Sequence, residues 1–168
     1  MFELKPLSTN AVPAALAKAE RYRLLNEPMQ AASICEDILR VDPGNTTARV
    51  ALILALSDQL DSGEQAAVLA RAKALLPELP GEYERAYYAG ILAERRALSC
   101  LTSAKAGSGF TAYEGLREAM AFFERAEAVR PPDNDDAILR WNSCARVLMR
   151  HPQLGPRADE RDMPLALE

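Results

Sequence analysis

Prolines divide this chain into short segments, and each segment has the apolar periodicity of a helix. Pro28, Pro43, Pro77, Pro80 and Pro131 each interrupt a run in which apolar residues recur at every third or fourth position. Proline lacks the amide that a helix interior needs, and it disfavours helix in the residue before it. Strand-like alternation is almost absent. The sequence therefore predicts an all-α fold of seven helices, over residues 12–25, 28–40, 46–60, 63–76, 82–104, 112–130 and 134–150.

The connections between the predicted helices are short, which favours antiparallel neighbours within one domain. That domain covers residues 12–150, between an N-terminal arm, 1–11, and an irregular tail, 151–168.

The tail contains three prolines and no apolar periodicity, and we expect it either to cap the last helix or to occupy a groove on a neighbouring molecule. The loop at 106–110, AGSGF, predicts a flexible joint rather than a phosphate-binding loop, because no strand precedes it and no Lys-Ser/Thr pair follows.

One spacing pattern recurs in the second, fourth and sixth predicted helices. A small residue is followed by a large one, then by a small or apolar one, and finally by a proline. The three copies are Ala31-Cys35-Ile38-Pro43, Gln65-Leu69-Ala72-Pro77 and Ala119-Phe123-Ala126-Pro131, with Gln65 as the one exception. The first two copies are 34 residues apart, and the third begins 54 residues after the second. Such a pattern is typical of stacked helix pairs, since the small residue lets two helices approach closely.

This pattern resembles the tetratricopeptide repeat family over about residues 12–150. The first helices match the family with Ala19 and Tyr22 and, one period later, with Ile53 and Leu56, while Ala15 and Arg49 replace the usual Trp. The resemblance implies an α-solenoid of three irregular helix pairs, with one long helix and a C-terminal capping helix. It also implies a concave groove, lined by the first helix of each pair, that holds a peptide or helix of a partner.

The resemblance further implies which residues face this groove in the first two repeats, namely Leu16, Glu20, Val50 and Leu54. Family members that hold a terminal carboxylate present Lys, Asn and Arg there, because a carboxylate needs several converging donors. These four positions carry no such clamp, so we expect this part of the groove to suit an apolar segment.

The fifth predicted helix carries four candidate partner-binding residues, Tyr87, Tyr88, Glu94 and Arg95. In one interpretation they point into the groove. In the other, the tyrosines pack with their hydroxyls hydrogen-bonded and the charges are solvated. Gly90 lies in the same helix, where it costs about 1 kcal/mol relative to Ala. Its presence predicts the close approach of a neighbouring helix or of a ligand backbone.

The stretch PPDNDDAILRWN, residues 131–142, supplies the last two candidates. Its acids and amide are expected to cap the last helix and to place negative charge in the first turn. Spacing predicts an inward stripe of Ile138, Trp141, Ala145 and Leu148, with Trp141 as a core anchor. Arg140 and Asn142 flank this anchor and are the polar groups that this end of the chain offers to a partner.

Charge and composition argue against several classes of partner. The net charge of −4 and the pI near 5.2 make nucleic acid and anionic membranes poor partners. No secretory signal and no 18-residue apolar segment is present, so we expect a cytoplasmic protein.

The sequence contains three cysteines, which lack metal-ligand spacing and are expected to be buried thiols, namely Cys35, Cys100 and Cys144. No metal or cofactor is predicted.

No catalytic motif is found, and the lone His151 stands where a helix C-cap is expected. The leading hypothesis is therefore a non-enzymatic adaptor or scaffold that binds another protein or peptide. One alternative is a small chaperone of the tetratricopeptide type for an exported or aggregation-prone client. Another is a helical enzyme with a charged cleft on the long helix. A homodimer is left open.

Overall fold

A computed structural model of the chain describes residues 2–60, 65–102 and 107–156. The described part is helical and contains no strand, which confirms the predicted all-α class. A 3₁₀ turn, Thr9–Ala11, precedes the first α-helix, and a second, Leu76–Glu78, follows the fourth. The seven α-helices are α1 Val12–Leu24, α2 Pro28–Val41, α3 Thr46–Ser57, α4 Gln65–Leu75, α5 Glu82–Leu101, α6 Ser108–Ala128 and α7 Asp136–Arg150.

Several helix boundaries differ from the predicted ones by one to four residues. The third helix ends at Ser57 and not at residue 60. The sixth begins at Ser108 and not at residue 112, so most of the predicted joint at 106–110 belongs to its first turn. Gly107 precedes it with φ +79°, a left-handed conformation that glycine adopts easily. The seventh helix begins at Asp136, after Asp133 with φ +62°.

Two long helices are present where the sequence predicted one. α5 has 20 residues and α6 has 21, and these two helices share the largest interface in the molecule. The predicted end of the fifth helix, at 103–104, lies outside the described residues. The long pair therefore forms one hairpin at the C-terminal half of the fold.

Helices that follow one another in the chain pack side by side, from α1 with α2 through to α6 with α7. Helices two apart also touch, since α1 contacts α3 and α3 contacts α5. The weakest junction between consecutive helices is the one between α4 and α5. This arrangement brings α1, α3 and α5 into one row.

The recurring spacing marks buried positions in two of its three copies. All three helical positions of the first copy, Ala31, Cys35 and Ile38, are fully buried, as are Ala119, Phe123 and Ala126 of the third. In the middle copy only Ala72 is fully buried, whereas Gln65 is exposed. The middle helix is therefore the least embedded of the three.

Two main apolar clusters form the core, and α5 contributes to both. The first joins α1 to α4 with Leu79 and Leu92. The second joins α5, α6 and α7 around Phe123, and Tyr88 packs against both clusters. Because α5 joins the two clusters, its polar residues lie between the N-terminal and the C-terminal parts of the core.

The buried thiols are Cys35 and Cys144, and burial raises the pKa of Cys35 to about 11 and that of Cys144 to about 12. Cys100 is only half-buried, which corrects the expectation that all three thiols are buried. It lies in the last turn of α5.

Candidate functional site

The carboxylate of Asp58 links three helices through two arginines. Arg23 of α1 donates from Nε to Oδ2 of Asp58 at 2.9 Å, and its Nη2 lies 2.9 Å from the same oxygen. Arg95 of α5 forms an ion pair with Asp58, with Nη1 2.8 Å from Oδ1. Asp58 itself directly follows α3, and its side chain is 15% exposed. Both oxygens are thus used, and the ends of α1 and α3 are held against the middle of α5.

A second ion pair continues this group towards α7. Arg140 Nη1 donates to Oε2 of Glu94 at 3.3 Å, and the Glu94 side chain is 4% exposed while that of Arg140 is 38% exposed. Burial raises the pKa of Glu94, although Arg140 and Arg95 oppose this shift. Burial alone would lower the pKa of Arg140, but the Glu94 carboxylate and the Tyr87 hydroxyl raise it. The carboxylate is therefore the enclosed partner, and the guanidinium lies at the surface.

Three tyrosines of α5 lie beside these ion pairs. The rings of Tyr83 and Tyr87 stack with centroids 5.6 Å apart, and Tyr87 meets Tyr88 edge to face at 5.2 Å. Tyr83 donates its hydroxyl to Oδ1 of Asn134 at 3.0 Å. Burial and the nearby Asp136 raise the pKa of Tyr83 to about 12, which keeps this hydroxyl a donor. All three rings remain half-buried, so part of each faces solvent.

We call this continuous group the arginine face. It consists of Arg23, Asp58, Tyr87, Tyr88, Glu94, Arg95 and Arg140. Its members come from α1, α3, α5 and α7, with three guanidinium groups against two carboxylates. Each arginine has five N–H donors, and the bonds within the group leave some of them unused. The arrangement can offer charge-assisted hydrogen bonds beside aromatic rings.

Five of the six predicted partner-binding residues belong to the arginine face, and Asn142 does not. Two residues along an α-helix correspond to a rotation of about 200°, so Asn142 projects from the side of α7 opposite to Arg140. Arg140 and Asn142 were predicted to act together because they are close in the sequence, but the rotation of the helix places them on opposite sides of α7.

Trp141 packs against the second core cluster, as predicted, although it is not fully buried. Its indole Nε1 donates to Oε1 of Glu124 at 2.9 Å in an exposed position. Ala145 and Leu148 of the predicted stripe pack against the same cluster, and Ile138 is half-buried. The fully buried residues of α7 are Ala137 and Cys144, which lie beside this stripe.

The acidic turn before α7 serves the helix and α5 together. Asn134 Oδ1 accepts from the backbone amide of Asp136 at 3.0 Å, as well as from Tyr83. Asp136 supplies the negative charge expected in the first turn. Asn134, and not one of the neighbouring acids, accepts the amide hydrogen bond at this helix start.

Arg23 and Asp58 are the members of the arginine face that sequence reasoning missed. They are 35 residues apart, and they lie near the C-terminal ends of α1 and α3. Opposite charges at nearly the 34-residue interval of the recurring spacing are the signal that could have indicated the pair. Arg49 is likewise buried and pairs with Glu78 at 2.9 Å.

Four cavities of about 290–450 Å³ lie among the described residues, and neither Glu94 nor Arg140 lines any of these four. Within the same residues, no three His, Cys, Asp or Glu side chains lie close enough to hold a metal ion. No helix in the described ranges has both the length and the apolar character needed to cross a membrane.

Comparisons with protein-family models, with curated proteins and with solved structures find no match to this chain.

Proposed function

We propose that the chain is a non-enzymatic protein-interaction module whose helix pairs stack as an α-solenoid of the tetratricopeptide type. The pairs would be α1 with α2, α3 with α4, and α5 with α6, and α7 would cap the last pair. The contacts of α1 with α3 and of α3 with α5 support this order, because first helices of successive pairs adjoin in such a stack. The first helices then line the concave groove, and the arginine face lies within it.

The observation that carries the proposal is the bridge from Arg23 through Asp58 to Arg95, with Glu94 and Arg140 beside it. The bridge orients guanidinium groups from three helices towards one surface. Ordered arginines lose little side-chain freedom on binding, and they can donate to a carboxylate in two-point geometry. Arginine and tyrosine are also the residues that contribute most to protein interfaces.

The partner is accordingly a peptide or helix that presents an acidic side chain next to an apolar or aromatic one. The acid would accept hydrogen bonds from Arg95 and Arg140, which have the more exposed side chains of the three arginines. The apolar group would lie against Tyr87 and Tyr88. This division follows the pattern of grooves that bind helices or extended peptides through one polar anchor and one apolar pocket.

The two alternatives need different features. A helical enzyme needs a closed pocket that holds paired titratable groups, and the pair Glu94–Arg140 lines none of the described cavities. A chaperone would use the same face to hold a client. Such a client would become insoluble once the protein is removed, whereas the partner of an adaptor would stay soluble.

The test is affinity capture from the native cell with the intact protein and with a Tyr87→Ala/Arg95→Glu variant. We expect a small set of proteins whose recovery, measured by quantitative mass spectrometry, falls at least tenfold with the variant, since two anchors are lost. Arg146→Glu is the matched control, because this exposed arginine lies on α7 outside the arginine face. Arg95→Gln is a milder variant that leaves Arg23 to hold Asp58. Equal recovery with wild type and double variant, both with native helical content by circular dichroism, would refute the groove assignment.

A further inference from the structure

A cavity of about 450 Å³ opens between α4 and α5, where the helix packing is weakest. This volume is within the range of cavities that hold ligands or side chains of a partner. Its lining comes from both helices and from the turn after α3, and comprises Leu60, Gln65, Ala66, Leu69, Ala70, Lys73, Arg96 and Ser99. None of these residues belongs to the arginine face.

The lining combines an apolar floor with two positive charges. Leu60 is buried and Leu69 half-buried, while Ala66 and Ala70 are exposed and leave room above them. Lys73 and Arg96 are exposed, and within the part of the chain that the structure describes neither forms an ion pair. Among the residues that the structure describes, no carboxylate lines the cavity. Charge complementarity therefore favours an occupant with leucine-like side chains and neighbouring acids.

The chain after residue 156 starts from the same edge of the molecule. Leu154 lies against the first turn of α6, because a Cβ atom on Gly109 would be 3.4 Å from its Cδ2. The start of α4 is near the last turns of α5, since Gln65 Nε2 donates to Ser99 Oγ at 3.5 Å. Arg96 lines both this cavity and a second one beside Phe110 and Thr111 of α6. The route from Leu154 to the cavity thus crosses the ends of α6 and α5.

This distance is within the reach of the remaining chain. Neighbouring helices lie about 10 Å apart, so two helix spacings amount to about 20 Å. Seven residues, from 156 to 163, span up to about 25 Å when extended. The six residues that follow, MPLALE, can then lie in the cavity itself.

We propose that residues 163–168 of the same molecule bind in the cavity between α4 and α5. Met163, Leu165 and Leu167 supply apolar side chains for the floor formed by Leu60, Leu69 and the two alanines. Glu168 at the end of this segment and Asp162, which directly precedes it, pair with Lys73 and Arg96. The segment covers the weak junction of α4 with α5 and leaves the arginine face open to a partner. The proposal is independent of the proposed function.

Photo-crosslinking of the full chain tests this assignment. A benzophenone amino acid replaces Leu165, and the crosslinked protein is separated by size and mapped by mass spectrometry. We expect crosslinks in the monomer that join residue 165 to the peptides containing residues 65–75 or 92–99. Lys73→Glu/Arg96→Glu should lower this yield roughly fivefold, as expected for the loss of two exposed ion pairs. Lys18→Glu/Arg146→Glu changes the net charge equally and should leave the yield unchanged.

Circular dichroism first shows that all variants keep the wild-type helical content. Crosslinks that map instead to α7 would place the tail on the last helix and overturn the proposal. Crosslinks found only in a dimer band would place it on a neighbouring molecule, with the same consequence. An equal yield in both charge-reversal variants would show that Lys73 and Arg96 do not hold the segment.

Discussion

The ring of Phe123 in α6 lies directly against the backbone of Gly90 in α5. A Cβ atom at Gly90 would come within 2.5 Å of Cε1 and 2.7 Å of Cδ1 of this ring. Phe123 is fully buried, and its ring packs against Tyr87 with centroids 5.9 Å apart. The glycine thus serves the approach of a neighbouring helix, which was one of the two explanations that the sequence left open.

Gly90→Ala should therefore destabilise the protein. Alanine favours the helix by about 1 kcal/mol, but the ring has no free space to move into, and overpacking of a core costs typically 1–3 kcal/mol. Because three ring atoms would lie within 3 Å of the new Cβ, the cost should reach the upper end of this range, which leaves a net loss of about 2 kcal/mol in the free energy of unfolding, measured by urea denaturation. Gly109→Ala is the control, since its Cβ would be 3.4 Å from Leu154, an ordinary contact. Equal stability of Gly90→Ala and wild type would show that the α5–α6 contact is less tight than described.

Asp58→Ala should cost more than the loss of an ordinary surface acid. It leaves Arg23 and Arg95 without their common acceptor at a position that is mostly buried. Hydrogen bonds to charged groups contribute about 1.5–3 kcal/mol, and we expect a loss of about 2 kcal/mol in thermal or urea unfolding. Asp37→Ala is the matched control, because its contact with Arg40 is 4.0 Å long and exposed. It should change stability by about 0.5 kcal/mol or less. The same loss for both variants would contradict a structural role for the bridge.

Glu94→Gln should remove a pH-dependent loss of stability. Burial raises the pKa of Glu94 above its usual value of 4.5. The stability associated with this group is therefore fully present below that value and is lost as the pH rises through the folded-state pKa. Glutamine keeps an acceptor for Arg140 and carries no charge. We expect wild type to lose stability relative to the variant as the pH rises above 4.5, measured by urea unfolding at each pH.

The Arg140→Gln background provides the control for this pH dependence. Without the guanidinium that opposes the shift, the pKa of Glu94 should rise further and the relative loss should increase. If wild type instead gains stability over Glu94→Gln as the pH rises, the attraction to Arg140 outweighs the effect of burial.

Local patterns were sufficient to predict the helices of this protein. Prolines and three-to-four periodicity act within a few residues, so they could be detected without knowledge of the neighbours. The same applies to Ala31, Cys35 and Ile38, whose spacing indicated a buried stripe that the structure shows. The spacing of Trp141, Ala145 and Leu148 likewise indicated a stripe that packs against the core. Spacing could not show that the small Ala137 and Cys144 beside it are the residues of α7 that are fully buried, because this depends on the contact with α6.

The sequence by itself determined the helical class, the approximate helix boundaries and the presence of tyrosines and arginines on the fifth helix. Only the tertiary structure decided which charges pair, because Arg23 meets Asp58 across 35 residues and Arg140 meets Glu94 across 46. It also decided that Glu94 is enclosed and that Asn142 turns away from the arginine face. Such pairings depend on the distance and angle between whole helices, and no local propensity of the chain encodes these quantities.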